Sequence, residues 1–277
     1  MWHKKKSKLM LVVLVCLTMI GSLAACGKKG DSDDSVKQIQ DKGTITMGTS
    51  ADAPPFEYTT VKNGKKKIAG FDVMLAEKIA EELDVKLKIE NIAFPSLVTE
   101  LQDKKIDMVL SSMVASSDRK KVVSFSKPYH QGSNVLLVRK ADAAKYQKIS
   151  DLDGKSIGAQ QGSAKEKVAK KQLPKANLVT EGNLGTLTTE LKVGKIDGVI
   201  LGKEDSKLYT LKYPDTYSTT NIKLKTSGDI DAVSVGLNKD DQALKKKINQ
   251  VIQKLKESGE LDKMLAQAQK KQINESK

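Results

Sequence analysis

Leu97-Val-Thr-Glu-Leu-Gln-Asp-Lys-Lys-Ile-Asp-Met-Val-Leu110 and Leu187-Thr-Thr-Glu-Leu-Lys-Val-Gly-Lys-Ile-Asp-Gly-Val-Ile200 agree at eight of fourteen positions, 90 residues apart. Each copy opens with leucines at helical spacing and closes on a short apolar run, so each reads as a helix feeding a buried strand. A chain that carries this unit twice is expected to fold as two similar lobes. In α/β folds the carboxyl ends of such strands face the ligand crevice, which puts the residues after Leu110 and Ile200 at a site.

The flanks fit the same class. Gly43-Thr-Ile-Thr-Met-Gly48 reads as a strand, and Thr49 to Glu57 as a loop, because Pro54 and Pro55 exclude a helix interior or a central strand. A second short strand is expected around Tyr58 to Val61, then a lysine-rich turn at Asn63-Gly64. Val73, Leu75, Ala76, Ile79, Ala80 and Leu83 predict a helix with Asp72 as its N-cap, and Val85 to Ile92 the next strand. Pro95 opens the helix of the first repeat. Further on, Ile149 to Lys155 predicts a turn, Ser156 to Ala159 a strand, and Ser163-Ala-Lys-Glu166 a capping box that starts a helix reaching about Gln172. A strand over Asp231 to Leu237 and helices over Gln242 to Glu257 and Leu261 to Lys271 complete the chain. Short β-rich runs alternating with amphipathic helices indicate an α/β protein.

Residues 1–25 stand apart. Lys4, Lys5, Lys6 and Lys8 precede the apolar run Leu9 to Ile20, which has the make-up of an export signal and is too short to span a bilayer comfortably. The segment ends in Leu23-Ala24-Ala25-Cys26, similar to the bacterial lipobox, whose cysteine becomes the lipidated first residue of the mature protein. Two or three acyl chains on Cys26 would anchor the chain stably, where one holds it only marginally. Gly27 to Asp34 is small and polar and reads as a tether, so residues 26–39 are assigned to the lipidated cysteine and its linker.

Of 277 residues, 39% are apolar, 30% charged and 4% aromatic, which excludes wholesale disorder and a polytopic membrane protein. The net charge is +14; without residues 1–25 it is 44 basic against 34 acidic, or +10. These lysines are scattered over many elements with few aromatics, and the export signal leads away from nucleic acid, so no nucleic-acid partner is expected. After the signal Cys26 is the only cysteine and His130 the only histidine. A disulfide framework, a cysteine metal site and a histidine-centred catalytic triad therefore have no material, and neither enzyme activity nor a metal or cofactor is expected.

Only Arg119 and Arg139 are arginine among 48 basic residues. Where lysine is the default cation, an arginine points to its planar fork, which suits a carboxylate. Arg119 follows the first repeat; Arg139 ends the run Val135 to Val138 and reads as a strand-end residue. The first amides of the helix after Ser163, on Ala164 and Lys165, offer a second anion-binding element.

The ordered set Gly48 to Glu57, Gly70-Phe71-Asp72, Leu97 to Leu110, Ser117-Asp118-Arg119-Lys120, Phe125 to Tyr129, Asp151 to Lys155, Gln161-Gly162-Ser163, Lys195-Ile196-Asp197 and Ser258-Gly259 resembles the polar amino-acid substrate-binding proteins of ABC importers. The resemblance covers about residues 40 to 265. It implies a two-lobe, type II periplasmic-binding-protein fold with a ligand cleft between lobes. Crossovers are expected near Leu137 to Lys140 and Ala232 to Val235, giving residues 40–138 plus 236–277 as lobe 1 and 139–235 as lobe 2. It further implies a monomeric receptor taking an amino-acid-like ligand to a permease and, through it, an ATPase; with the lipobox cysteine, a lysine-rich lipoprotein fits the extracytoplasmic face of a Gram-positive cell. A sensory or adhesive surface lipoprotein on the same fold is the alternative.

Carried over residue by residue, the resemblance places the ligand α-carboxylate on Arg119 and the amides at Ser163 and Ala164. It places the α-ammonium near Ser112 and an aromatic wall at Phe94. Ser50 stands where many members have an acid, Ala53 where many have a ring, and Phe56 lies in the same loop. Two positions depart from the pattern: Val114 replaces a hydroxyl residue, and Gly202 falls where an acid usually pairs with the α-ammonium. Glu204 or Asp205 from a shifted loop, Asp52 or Glu57 from the other lobe, or a ligand without a standard α-ammonium are the open replacements.

Overall fold

The computed structural model describes residues 33–62, 64–225 and 231–274. The export signal, Cys26, most of the tether and Asn63 of the expected turn lie outside the described residues. In chain order the elements are α1 (Ser35–Lys42), β1 (Thr44–Thr49), β2 (Asp52–Ala53), β3 (Glu57–Lys62), β4 (Lys65–Ala69), α2 (Phe71–Glu82), β5 (Lys86–Asn91), a 3-10 turn (Phe94–Ser96), α3 (Leu97–Gln102), β6 (Met108–Val109), α4 (Ser117–Val122), β7 (Ser124–Phe125), β8 (His130–Gln131) and β9 (Asn134–Arg139). Two 3-10 turns (Lys140–Lys145, Ile149–Leu152) then lead to β10 (Ser156–Gln160), α5 (Ala164–Gln172), β11 (Asn177–Glu181), α6 (Leu184–Lys192), β12 (Gly198–Gly202), α7 (Lys203–Lys212), β13 (Tyr217–Thr219), β14 (Ala232–Val233), β15 (Gly236–Leu237), α8 (Gln242–Glu257) and α9 (Glu260–Asn274).

Two five-stranded sheets carry the fold, in the orders β5-β1-β6-β15-β7 and β11-β10-β12-β9-β13. In each, three parallel strands are followed by two joined antiparallel. The repeat explains this likeness. Asp107 Oδ2 accepts the Thr46 amide at 2.7 Å, and Asp197 Oδ2 accepts the Ser156 amide at 3.0 Å. Each aspartate thereby ties the start of the repeat's strand to the central strand beside it. A Cβ on Gly48 would collide with Ile106 and press Leu97; one on Gly158 would lie 2.9 Å from both Ile196 and Leu187. The same leucine and isoleucine of each copy thus rest on a bare glycine backbone of the neighbouring strand. Lys104 and Gly194, also equivalent, both hold positive φ where the repeat's helix ends.

Burial follows the layers. Ile45, Met47, Leu75, Ile79, Met108 and Leu110 join Ile248 and Ile252 of α8 in one core, with Leu97, Leu101, Ile106 and Val109 on the other side of that sheet. In the second sheet Ile200 packs on one face while Val199 and Leu201 pack on the other, as expected for a strand covered on both faces.

Several expectations are corrected. Asp72 is not a cap: Gly70 precedes α2, and the first helical amides, of Phe71 and Asp72, donate to the Pro55 and Phe56 carbonyls. Asp72 is instead fully buried, accepting from the Ser112 amide at 2.8 Å and the Tyr129 hydroxyl at 2.9 Å. The run Asp231 to Leu237 is not one strand, because Ala232–Val233 pairs with β8 while Gly236–Leu237 pairs with β6 and β7. Leu137 to Lys140, expected as a crossover, includes strand residues paired with β12 and β13 inside the second sheet. The chain passes between sheets earlier, at β8, whose partner β14 makes the return passage.

Candidate functional site

A cavity lies where the two sheets meet, lined by Ala53, Phe94, Ser111, Ser112, Val114, Arg119, Gln160, Ser163, Ala164, Lys165, Leu184, Ile200, Leu201, Gly202 and Asp205. The first sheet's side supplies Ser111 to Arg119, which follow β6; the second supplies the ends of β10 and β12 and the starts of α5, α6 and α7. Both repeats therefore end at the cavity.

Arg119 enters from α4, whose cap is Ser116 accepting from the Arg119 amide. Its Nη1 donates to the Val114 carbonyl at 2.8 Å and its Nη2 to the Gly162 carbonyl at 2.9 Å. The guanidinium lies 5.2 Å from the Phe94 ring centroid, within cation–π range. Burial lowers its pKa to about 10, so it stays charged at neutral pH, and no carboxylate among the described residues forms an ion pair with it. A half-buried cation held by two carbonyls and a ring is a prepared anion seat.

Beside it, the Ser163 hydroxyl accepts from the Lys165 and Glu166 amides at 3.2 and 3.3 Å, and Glu166 accepts from the Gly162 amide at 2.6 Å. The cap thus occupies the Lys165 amide, one of the two expected to face a ligand. The Ala164 amide is the one that remains at the helix N-terminus.

On the first sheet's side, Ser112 adopts φ +46°, held there by the Asp72 carboxylate on its amide. The Ser111 hydroxyl accepts from the Ser50 amide at 3.0 Å and donates to Glu57 Oε1 at 3.3 Å. Burial first, then the neighbouring Asp72, pushes the Glu57 carboxyl well above its usual range, and burial raises Asp72 likewise. Two buried acids therefore stand beneath the serines.

Phe94, Ser112, Val114, Arg119, Ser163, Ala164 and Gly202 all line the cavity. Three other expected residues do not. Phe56 is 2% exposed and packs edge-on against Phe71 and His130 in the core. Glu204 turns toward His130, with 3.6 Å between Oε2 and Nε2, and this partner lowers its pKa against the effect of burial. Ser50 is buried behind the wall, its hydroxyl donating to Asp52 at 3.3 Å. Ser111, Gln160, Leu184, Ile200 and Leu201 were not singled out in the sequence, although Ser111, Ile200 and Leu201 fall at the ends of the two repeat strands, where the repeat places the crevice. Among the described residues no three His, Cys, Asp or Glu converge as a metal site, and no described helix is long and apolar enough to cross a membrane.

The profile of the bacterial extracellular solute-binding proteins, family 3, matches residues 45–270. An arginine-binding extracellular protein, ArtP, of Bacillus subtilis strain 168 is 32% identical over 263 residues, covering 94% of this chain and 96% of its own. ABC transporter arginine-binding protein 1 of Escherichia coli K12 is 30% identical, covering 79% and 88%. Among solved structures, the amino-acid ABC transporter substrate-binding protein AbpA of Streptococcus pneumoniae, bound to L-arginine, superposes with a TM-score of 0.82 at 38% identity, covering 86% of this chain and 99% of that one.

Proposed function

The chain belongs to the bacterial extracellular solute-binding proteins of family 3, and we propose that it holds one L-α-amino acid between its two sheets and delivers it to the permease of an ABC importer. The observation that carries this reading is the Arg119 guanidinium, half-buried and, among the described residues, without a carboxylate partner, in the same cavity wall as Ala164 at the start of α5. A ligand carboxylate completes both groups. Ser112 and Ser163 line the same pocket, Phe94 backs the arginine, and Val114 serves through its carbonyl. L-Arginine is the first ligand to test, since arginine is named for all three relatives above.

One lobe comprises residues 34–129 with 234–274, the other residues 134–231, with β8 and β14 as the connecting pair. Cys26 carries the lipid that keeps the monomeric receptor at the extracytoplasmic face, within reach of the permease and its ATPase. The protein acts by binding and release rather than catalysis: the cavity's fixed charges suit a zwitterion, and the chain's one histidine beyond the signal is packed against Phe56 and Glu204 outside it.

The test is calorimetry of the mature chain with the twenty L-amino acids, repeated for Arg119→Ala. A selective amino-acid signal that falls by at least about 100-fold in the variant, with the melting temperature kept, is expected. Unchanged affinity in Arg119→Ala would sink the carboxylate assignment. Separately, Cys26→Ser should release the protein from membranes into the medium; continued tight membrane association would refute the anchor.

A further inference from the structure

A receptor with Arg119 at one end of an amino acid needs a negative group for the ammonium, and Gly202 supplies no side chain. We propose that Asp205, one helical turn further on, takes that place: its carboxylate occupies the volume above Gly202 and pairs with the ligand's α-ammonium. The inference rests on the receptor reading given above.

Three observations carry it. Gly202 is the N-cap of α7 and Asp205 the third residue of that helix, so the two share a face, and helical side chains lean back toward the N-terminus. A Cβ placed on Gly202 would collide with Asp205 Oδ2 and lie 3.6 Å from its Cγ. The carboxylate therefore stands where a side chain at position 202 would project. Finally, Asp205 lines the cavity, is 4% exposed, and makes no ion pair among the described residues. A buried carboxylate with no salt bridge of its own carries a desolvation cost that an incoming ammonium relieves. Burial accordingly raises its pKa to about 7, with the Lys165 charge drawing it back down.

The competing acids are otherwise engaged. Glu204 faces His130. Asp52 accepts from the Leu184 amide at 2.8 Å, from Gln160 at 3.4 Å and from Ser50 at 3.3 Å. Glu57 lies beneath Ser111, away from the cavity lining. Of the four acids near the site, only Asp205 lines the cavity.

The experiment is calorimetry of the mature chain with the twenty L-amino acids and, for the tightest of them, its desamino carboxylic acid, in the wild type, Asp205→Asn, Gly202→Asp and the double variant Gly202→Asp/Asp205→Ser. Asp205→Asn should weaken the amino acid by about 100-fold yet leave the desamino acid within about threefold, because only the first has an ammonium to lose. Gly202→Asp alone should bind poorly, since two carboxylates then compete for one space. The double variant should recover to within about tenfold of the wild type. Melting temperatures check that each variant folds. Amino-acid affinity unchanged in Asp205→Asn, or an equal loss for the desamino acid, overturns the assignment while Arg119→Ala still reports on the receptor reading. If no amino acid binds the wild type, both fall together.

Discussion

Asp205 ties the pH response of the site to a single carboxylate. An ammonium pairs with the ionised form, so affinity for an amino acid should rise up to tenfold per pH unit below about 7 and level off above it. Stability without added ligand should run the other way. The folded-state pKa lies above the ordinary aspartate value, so the group's contribution is fully present below about pH 4 and is lost as the pH rises through about 7. Burial gives Asp52, Glu57 and Asp72 the same sign. The melting temperature of the protein alone should therefore fall between pH 5 and 8, and Asp205→Asn should remove part of that fall. Lys165 on α5, Glu204 on the same helix and His130 on β8 also face this carboxylate, so His130→Gln is the control that isolates it. A melting temperature flat over this range in the wild type, or a slope that Asp205→Asn leaves intact, would contradict this account. Arg119 was legible in the sequence because it is one of two arginines in a lysine-rich chain. Asp205 could be named only among four acids, since the choice depends on burial and on which partners the others find.

The two copies of the repeat make a matched pair for measurement at the level of the element. Asp107→Ala and Asp197→Ala each leave a part-buried strand amide without its acceptor, at a cost of about 1 kcal/mol by urea unfolding. Asp107 also meets Lys42 at 2.9 Å, and Asp197 meets the Tyr146 hydroxyl at 3.3 Å, so neither role is purely local. Losses below about 0.5 kcal/mol in both would show that the aspartates do not secure the sheets. This pattern was readable in advance because leucine spacing, a helix stop and an aspartate before an apolar run are all encoded within fourteen residues. What the sequence hid depended on distant partners. β4, with three lysines in five residues, has little β-propensity and forms because β3 is there to pair with it. Asp231 to Leu237 looked like one strand, yet the Ser234 amide donates to Met113 and the Val235 amide to Ser126, which breaks the run where it changes sheets. Asp72 reads as a cap in the sequence, but the Pro55 and Phe56 carbonyls, distant in the chain, accept the amides of that helix end.

Contacts that cross between the two sheets' residues show how ligand binding and closure can share one free-energy balance. Asp52, on the short strand β2, accepts the Leu184 amide at the start of α6. Arg119 donates to the Gly162 carbonyl, and Asp118 pairs with Lys167. β8 and β14 are the short paired segments through which the chain passes both ways, the kind of connection about which two lobes rotate. A ligand held by Arg119 from one side and by Ala164 and Asp205 from the other makes its full set of contacts only when the lobes are together, so it favours the closed arrangement by that difference. The Asp118–Lys167 pair is exposed and should matter little; Asp118→Ala is expected to change affinity by less than about threefold. Asp52 differs, because its bond to a helix-start amide is charge-assisted and partly buried. Asp52→Ala should raise the population of open protein, seen as a larger radius of gyration in solution scattering without ligand, and weaken the amino acid by about tenfold. Saturating ligand should return the variant's radius of gyration to the wild-type value, since bound ligand still draws both lobes onto itself. If the variant keeps the wild-type radius and affinity, Asp52 is a wall residue only and closure rests on the ligand's own contacts.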